Sequence, residues 1–186
     1  MALKSTIFRA ALNISDIDRG YYADHVLTVA RHPSETNERM MTRVLAFALY
    51  SSHAKEPLEF GKGLSSDDEP ALWERDLTGR ITQWIEVGIP DEKLLRRACG
   101  RSDAVVLLAY GGGRTVDMWW QANREALLRQ DKLTVKSVSS TCSKALAAMA
   151  DRALDLQCMI QDGEIWFSDA SERVLVEISQ FMPVTE

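Results

Sequence analysis

Three acidic side chains carry the clearest chemical possibility in this chain. Asp67 and Asp68 stand side by side, and Glu86 follows on the next strand-like run. A loop acid and a strand acid separated by fewer than twenty positions can converge at a sheet edge. Carboxylates gathered at one point repel each other unless a cation neutralises them, and hard oxygen ligands suit Mg²⁺ or Mn²⁺. Such an ion can activate water and stabilise charge developing on a phosphodiester. The plainer reading of the same acids is a set of solvated loop carboxylates. Glu86 is the more informative of them, because an unpaired charge inside a strand is costly to bury. An exposed position on the strand rim is its plain alternative.

Other residues extend the pattern. Glu38 continues the apolar stripe of a helix by one turn, which makes it either a site acid or a carboxylate favoured by the helix dipole. Lys93 falls in the first turn of a later helix, from which an ammonium can reach back over Gly88 toward Glu86, or else stay in solvent. The run from Lys93 to Arg101 holds Lys93, Arg96, Arg97 and Arg101 with no acid. It is a solvated basic helix or an anion-binding surface. Gly111-Gly112-Gly113-Arg114 lacks both the dinucleotide fingerprint and the Gly-Lys-Ser/Thr of a phosphate loop, so it reads as a tight strand–helix turn. His25, His32 and His53 have no metal-ligand spacing, and no Gly-x-Ser-x-Gly is present.

The elements that must position these residues follow from periodicity. Leu3 to Ile14 and Tyr21 to Ala30 alternate as two long strands joined near 15–20 in a hairpin. Ser34 is the expected N-cap of a helix to about Tyr50, with Met41, Val44, Leu45 and Ala48 on its inner stripe. A short strand is expected at Leu58-Glu59-Phe60, followed by an acidic loop. Strands at Ile81 to Val87, Ala104 to Tyr110 and Leu133 to Val138 alternate with helices from Asp91 to Cys99, Thr115 to Arg129 and Thr141 to Ala153. The end reads as strands, Leu154 to Gln161, Glu164 to Ser168 and Arg173 to Phe181, with Asp162-Gly163 as a hairpin turn. This order predicts one compact domain over 1–186. Its class is α/β (α+β mixed), a central mixed sheet with flanking helices, an N-terminal β-hairpin and a C-terminal β-meander.

Composition bounds the function. The chain has 186 residues with 22 basic and 27 acidic, a net charge of −5. Residues 56–76 carry seven acids and two bases, which accounts for all of it. Attraction to nucleic acid by bulk charge is thereby excluded, and any phosphate grip has to be local, centred on Lys93 to Arg101. No apolar run approaches the ~18 residues of a membrane helix, and no secretory signal is visible, so no membrane partner is expected. Cys99, Cys142 and Cys158 form neither a disulfide frame nor a metal clip, which fits a reducing cytoplasm.

Several longer words add a family resemblance. They are Tyr-Tyr-Ala-Asp-His (21–25), Ala-Arg-His-Pro-Ser-Glu-Thr-Asn-Glu-Arg-Met-Met (30–41), Gly-Leu-Ser-Ser-Asp-Asp-Glu-Pro (63–70) and Trp-Ile-Glu-Val-Gly-Ile-Pro-Asp-Glu-Lys (84–93). Arg-Arg-Ala-Cys-Gly-Arg (96–101) and Leu-Gln-Cys-Met-Ile-Gln-Asp-Gly (156–163) complete the set. The chain resembles the YaeQ family of bacterial proteins along nearly its whole length. That family has no settled activity, and its fold is described as a compact variation on the PD-(D/E)xK nuclease core. The resemblance implies that Asp67 or Asp68 is the motif Asp, Glu86 the motif Glu, and Glu38 an added ligand from the first helix. It also implies a departure, since the motif Lys position is Gly88 and Lys93 would have to replace it. Two functions follow as expectations. One is a Mg²⁺- or Mn²⁺-dependent nuclease-like phosphodiesterase, with Asp68, Glu86 and Lys93 catalytic and Arg96, Arg97 and Arg101 on backbone phosphates. The other is a non-catalytic module that binds nucleic acid or a protein partner and keeps only the nuclease-like fold.

Overall fold

A computed structural model describes residues 5–62 and 69–183. Strand β1 (Thr6–Asp16) alternates as expected, with Phe8, Ala10, Leu12 and Ile14 buried. It pairs in antiparallel register with β2 (Tyr21–Arg31), from Thr6 opposite Arg31 to Asp16 opposite Tyr21. Helix α1 (Asn37–Tyr50) follows. Its N-cap is Thr36, whose side chain accepts from the Arg39 N–H at 3.1 Å, and not the expected Ser34. The reason is local: the Glu35 N–H donates to the His32 carbonyl at 2.8 Å, so residues 32–35 are spent in a turn and the helix starts two positions later.

A short strand β3 (Glu59–Phe60) leads past the acidic stretch to β4 (Leu72–Arg75), which the charge density had hidden within an expected loop. Glu74 is buried in β4, and its Oε1 accepts the backbone N–H groups of Lys55 and Glu56, each at 3.0 Å. Next come β5 (Ile81–Val87), α2 (Glu92–Arg101), β6 (Ser102–Ala109), α3 (Thr115–Leu127), β7 (Leu133–Val138) and α4 (Ser140–Ala148). Asp91 caps α2, as its Pro-Asp signature predicts.

The last segment is β8 (Ala153–Gln161), β9 (Glu164–Ser168), β10 (Arg173–Leu175) and β11 (Ile178–Met182). Asp162 and Gly163 both have positive φ, as the tightest hairpin turn requires. The expected strand Arg173 to Phe181 is in fact two strands in two sheets. Val176 donates its N–H to Ile165 of the first sheet, while the Glu177 carbonyl accepts from Ser139 beside the second, so the chain changes partner there.

Two mixed sheets result, ordered β10-β9-β8-β1-β2 and β11-β7-β6-β5-β4-β3. Within the first, β8 runs parallel to β1; within the second, β5, β6 and β7 are parallel. The larger core joins both sheets through α1 and α4, and the smaller lies between α2, α3 and the far face of the six-stranded sheet. The six-stranded sheet is therefore covered on both faces, which is why β6 reads as an unbroken apolar run.

Candidate functional site

The parallel strands β5 and β6 deliver Glu86 and Tyr110 to one end of the larger sheet, where the first turns of α1 cross. Glu86 is buried, so the rim alternative does not apply. Its Oε1 lies 3.2 Å from Arg39 Nη2 and accepts the Val87 N–H at 3.2 Å. The Trp84 indole, on the same strand face, also favours the charged carboxylate, although its nitrogen completes no hydrogen bond. Burial nonetheless outweighs these partners and pushes the Glu86 carboxyl above the ordinary range.

Arg39 connects Glu86 to a second carboxylate. Its Nη1 lies 2.8 Å from Glu35 Oε1. Arg43, one turn further along α1, donates from Nη2 to Glu35 Oε2 and to the Ala30 carbonyl, both at 2.9 Å. Arg43 Nε stands 2.9 Å from Glu35 Oε1 but off the hydrogen-bond direction. Its guanidinium carbon lies 5.7 Å from the centre of the Phe60 ring, a stacking contact. Glu35 and Arg43 have side chains with no solvent access, and two carboxylates against two guanidiniums make the quartet neutral. Sequence reasoning passed over Glu35, Arg39 and Arg43. The signal was their i, i+4, i+8 spacing, which puts all three on one stripe of the helix entrance.

Glu38 faces elsewhere: its Oε1 accepts the Ser143 hydroxyl of α4 at 2.6 Å. Gly88 ends β5 with φ +100°, a conformation that side chains rarely adopt, and a Cβ there would meet Tyr110 Cε1 at 3.7 Å. Tyr110 thus packs at ordinary contact distance beside the position where the resemblance implies a lysine. Burial raises its hydroxyl pKa above the usual value.

Lys93 is exposed on α2. With Pro90, Asp91, Leu94, Arg96 and Arg97 it lines a groove of about 650 Å³. Arg96 pairs with Glu92 at 3.8 Å, and Arg101 lies exposed at the end of the same helix. The Trp119 indole donates to the Pro90 carbonyl at 2.8 Å and pins the groove's rim to α3. Glu86 is thus brought to Arg39, while the α2 cations form a separate outer surface. Asp67 and Asp68 lie outside the described residues. Among the described residues no three His, Cys, Asp or Glu side chains come together as metal ligands. A divalent ion at Glu86 would have to compete with the Arg39 guanidinium. No helix among the described residues is long and apolar enough to cross a membrane.

Comparison with known proteins agrees with the words quoted above. The YaeQ protein family model matches residues 1–178. The uncharacterized proteins YaeQ of Salmonella typhi and Escherichia coli K12 are each 42% identical over 179 residues, 96% of this chain and 97% of theirs. The crystal structure of YaeQ protein from Xanthomonas axonopodis pv. citri superposes with a TM-score of 0.88 at 46% identity, covering 95% of this chain and 98% of that one. YaeQ protein from Pseudomonas syringae gives 0.89 at 36% identity, with 97% of each chain covered. The chain belongs to the YaeQ family.

Proposed function

We propose that the protein is a non-catalytic binding module that takes nucleic-acid backbone phosphates along α2 while its nuclease-like core stays structural. One observation carries this reading: the Glu86 carboxylate is held by Arg39 inside a neutral buried quartet, whereas Lys93 and Arg96 face outward beside Arg97 in a groove. A guanidinium in the position of a metal ion satisfies the carboxylate without making it a ligand. The outer cations act on phosphate by local charge, as a chain of net charge −5 requires.

Fluorescence anisotropy with labelled single- and double-stranded DNA and RNA tests it. Binding without divalent ions should weaken steeply as salt rises. The triple variant Lys93→Ala, Arg96→Ala, Arg97→Ala should bind more weakly and with a shallower salt dependence. Absence of binding at low salt ends this reading.

A second reading is supported by the burial of Glu86 at a strand end and its raised pKa, features common to catalytic carboxylates. In it, Asp67, Asp68 and Glu86 supply ligands to Mg²⁺ or Mn²⁺, joined by Glu38 only where it leaves the Ser143 hydroxyl, and the metal neutralises charge on a phosphodiester. Arg96, Arg97 and Arg101 hold phosphates, and Lys93, exposed on the same outer surface, has to turn toward Glu86 to steady the attacking water. Cleavage that needs Mg²⁺ or Mn²⁺ and is lost in Glu86→Ala would establish this reading and displace the first.

A further inference from the structure

A different part of the molecule holds a charge that forms no ion pair among the described residues. Lys136 sits on β7, and alternation puts it on the same face as Val138, the face turned toward α1 and the first sheet. Val138 and its β11 neighbour Ile178 are apolar on that face, whereas the Lys136 side chain is half-buried and ends in a cleft of about 310 Å³. Four separate parts of the chain close the cleft: the β1–β2 turn, the end of α1, the β8–β9 turn and the edge of β11.

Two acids lie near it, and both are committed. Asp16, fully buried, accepts the Arg19 N–H and Arg19 Nη1, each at 3.1 Å. Asp18 accepts the N–H groups of Asp162 and Gly163 at 2.7 and 2.9 Å through its two oxygens. Among the described residues Lys136 makes no ion pair and meets the Tyr50 ring, with Nζ 5.8 Å from its centre. Arg19 and His53 line the same cleft and add no negative charge. Leu49, Ile160, Ile165 and Ile178 supply an apolar wall opposite these polar groups. The volume is at the small end of the ~300–1,000 Å³ typical of ligand sites.

We infer that this cleft between the two sheets binds a small organic anion, one carboxylate or phosphate on an apolar body, with Lys136 as the charge that selects it. Lys136 and Arg19 grip the anionic group, and the isoleucine wall and Tyr50 take the body. This site is remote in the chain from α2 and does not depend on either function proposed above.

Phenyl phosphate and benzoate are the probes, followed by calorimetry and by amide shifts in ¹⁵N-labelled full-length protein. At least one should saturate, with shifts centred on Arg19, Tyr50 and Lys136, and whichever binds more tightly identifies the anionic group. Lys136→Met should weaken that probe about tenfold, the worth of one charge-assisted contact. Gln180→Glu adds a carboxylate at the exposed residue opposite Lys136 in the β11–β7 register and should weaken it by a similar factor. No saturation by either probe at millimolar concentration overturns the inference. So does an affinity unchanged in Gln180→Glu, or unchanged in a folded Lys136→Met, since Lys136 would then serve only the fold.

Discussion

Arg43 holds a full charge at a point with no solvent access, and the Glu35 carboxylate is the counter-charge in contact with it. Burial, helped by repulsion from Arg39, draws its pKa below the ordinary arginine value, and the Glu35 carboxylate opposes that fall. Removing one partner of a buried pair leaves the other uncompensated. Glu35→Gln should therefore cost about 3–5 kcal/mol in urea unfolding. A loss under about 1 kcal/mol would show that water reaches the site and screens the pair. Glu86 allows a second measurement. Its folded pKa lies above the ordinary value of 4.5, so in the window above 4.5 the native state binds more protons than the unfolded state. Stability must then fall as pH rises through that window and level off above the folded pKa. Replacing the carboxyl in Glu86→Gln should remove this decline, read as the difference in melting temperature from mildly acidic to neutral pH. An identical pH profile in both proteins would mean that Arg39 fully compensates the burial.

At the scale of elements, the β5–Gly88–α2 passage decides how the nuclease resemblance should be judged. Gly88 stands where the resemblance implies a lysine, and its φ of +100° is one that a side chain rarely adopts. Gly88→Ala places a Cβ at ordinary contact distance from Tyr110, so its cost of about 1–3 kcal/mol would be backbone strain and not crowding. Gly88→Lys should show the same loss in thermal unfolding and gain no metal-dependent cleavage. A stable Gly88→Lys would mean that the turn can relax to the conformation a lysine needs. This passage also shows what periodicity could and could not reveal. The strand Ile81–Val87, the Asp91 cap and the burial of β6 were legible because local pattern determines them. The Ser34 cap was misplaced because the turn at 32–35 directs Glu35 inward onto Arg39 and Arg43, four and eight positions later, a side-chain pairing that cap propensity does not encode. Strand β4 was hidden because Glu74 is buried on backbone N–H groups contributed by Lys55 and Glu56, 19 and 18 positions earlier.

Across the whole molecule, the pairing of β1 with β8 was the least legible feature, since parallel strands about 145 positions apart carry no mutual signal in sequence. It has a physical consequence that can be tested. Leu154, Leu156, Cys158, Ile160, Phe167 and Val176 belong to the same buried cluster as Leu12, Ile14, Val44, Leu45, Ile85 and Leu108. The C-terminal strands are thus part of the core that supports α1, and through α1 the Arg39–Glu86 contact. A chain ending at residue 150 would lose β8 to β11, opening one face of that core, the edge of β1 and the edge of β7 together. Exposed parallel and antiparallel edges of this length pair readily with other chains. The shortened protein should therefore lack a cooperative thermal transition by circular dichroism and should sediment as aggregates, even though every residue of both candidate phosphate and carboxylate sites remains. A sharp transition in the shortened chain, with native-like dispersion of its amide resonances, would mean instead that the six-stranded sheet and its helices fold alone, and that 1–186 comprises two units in place of one domain.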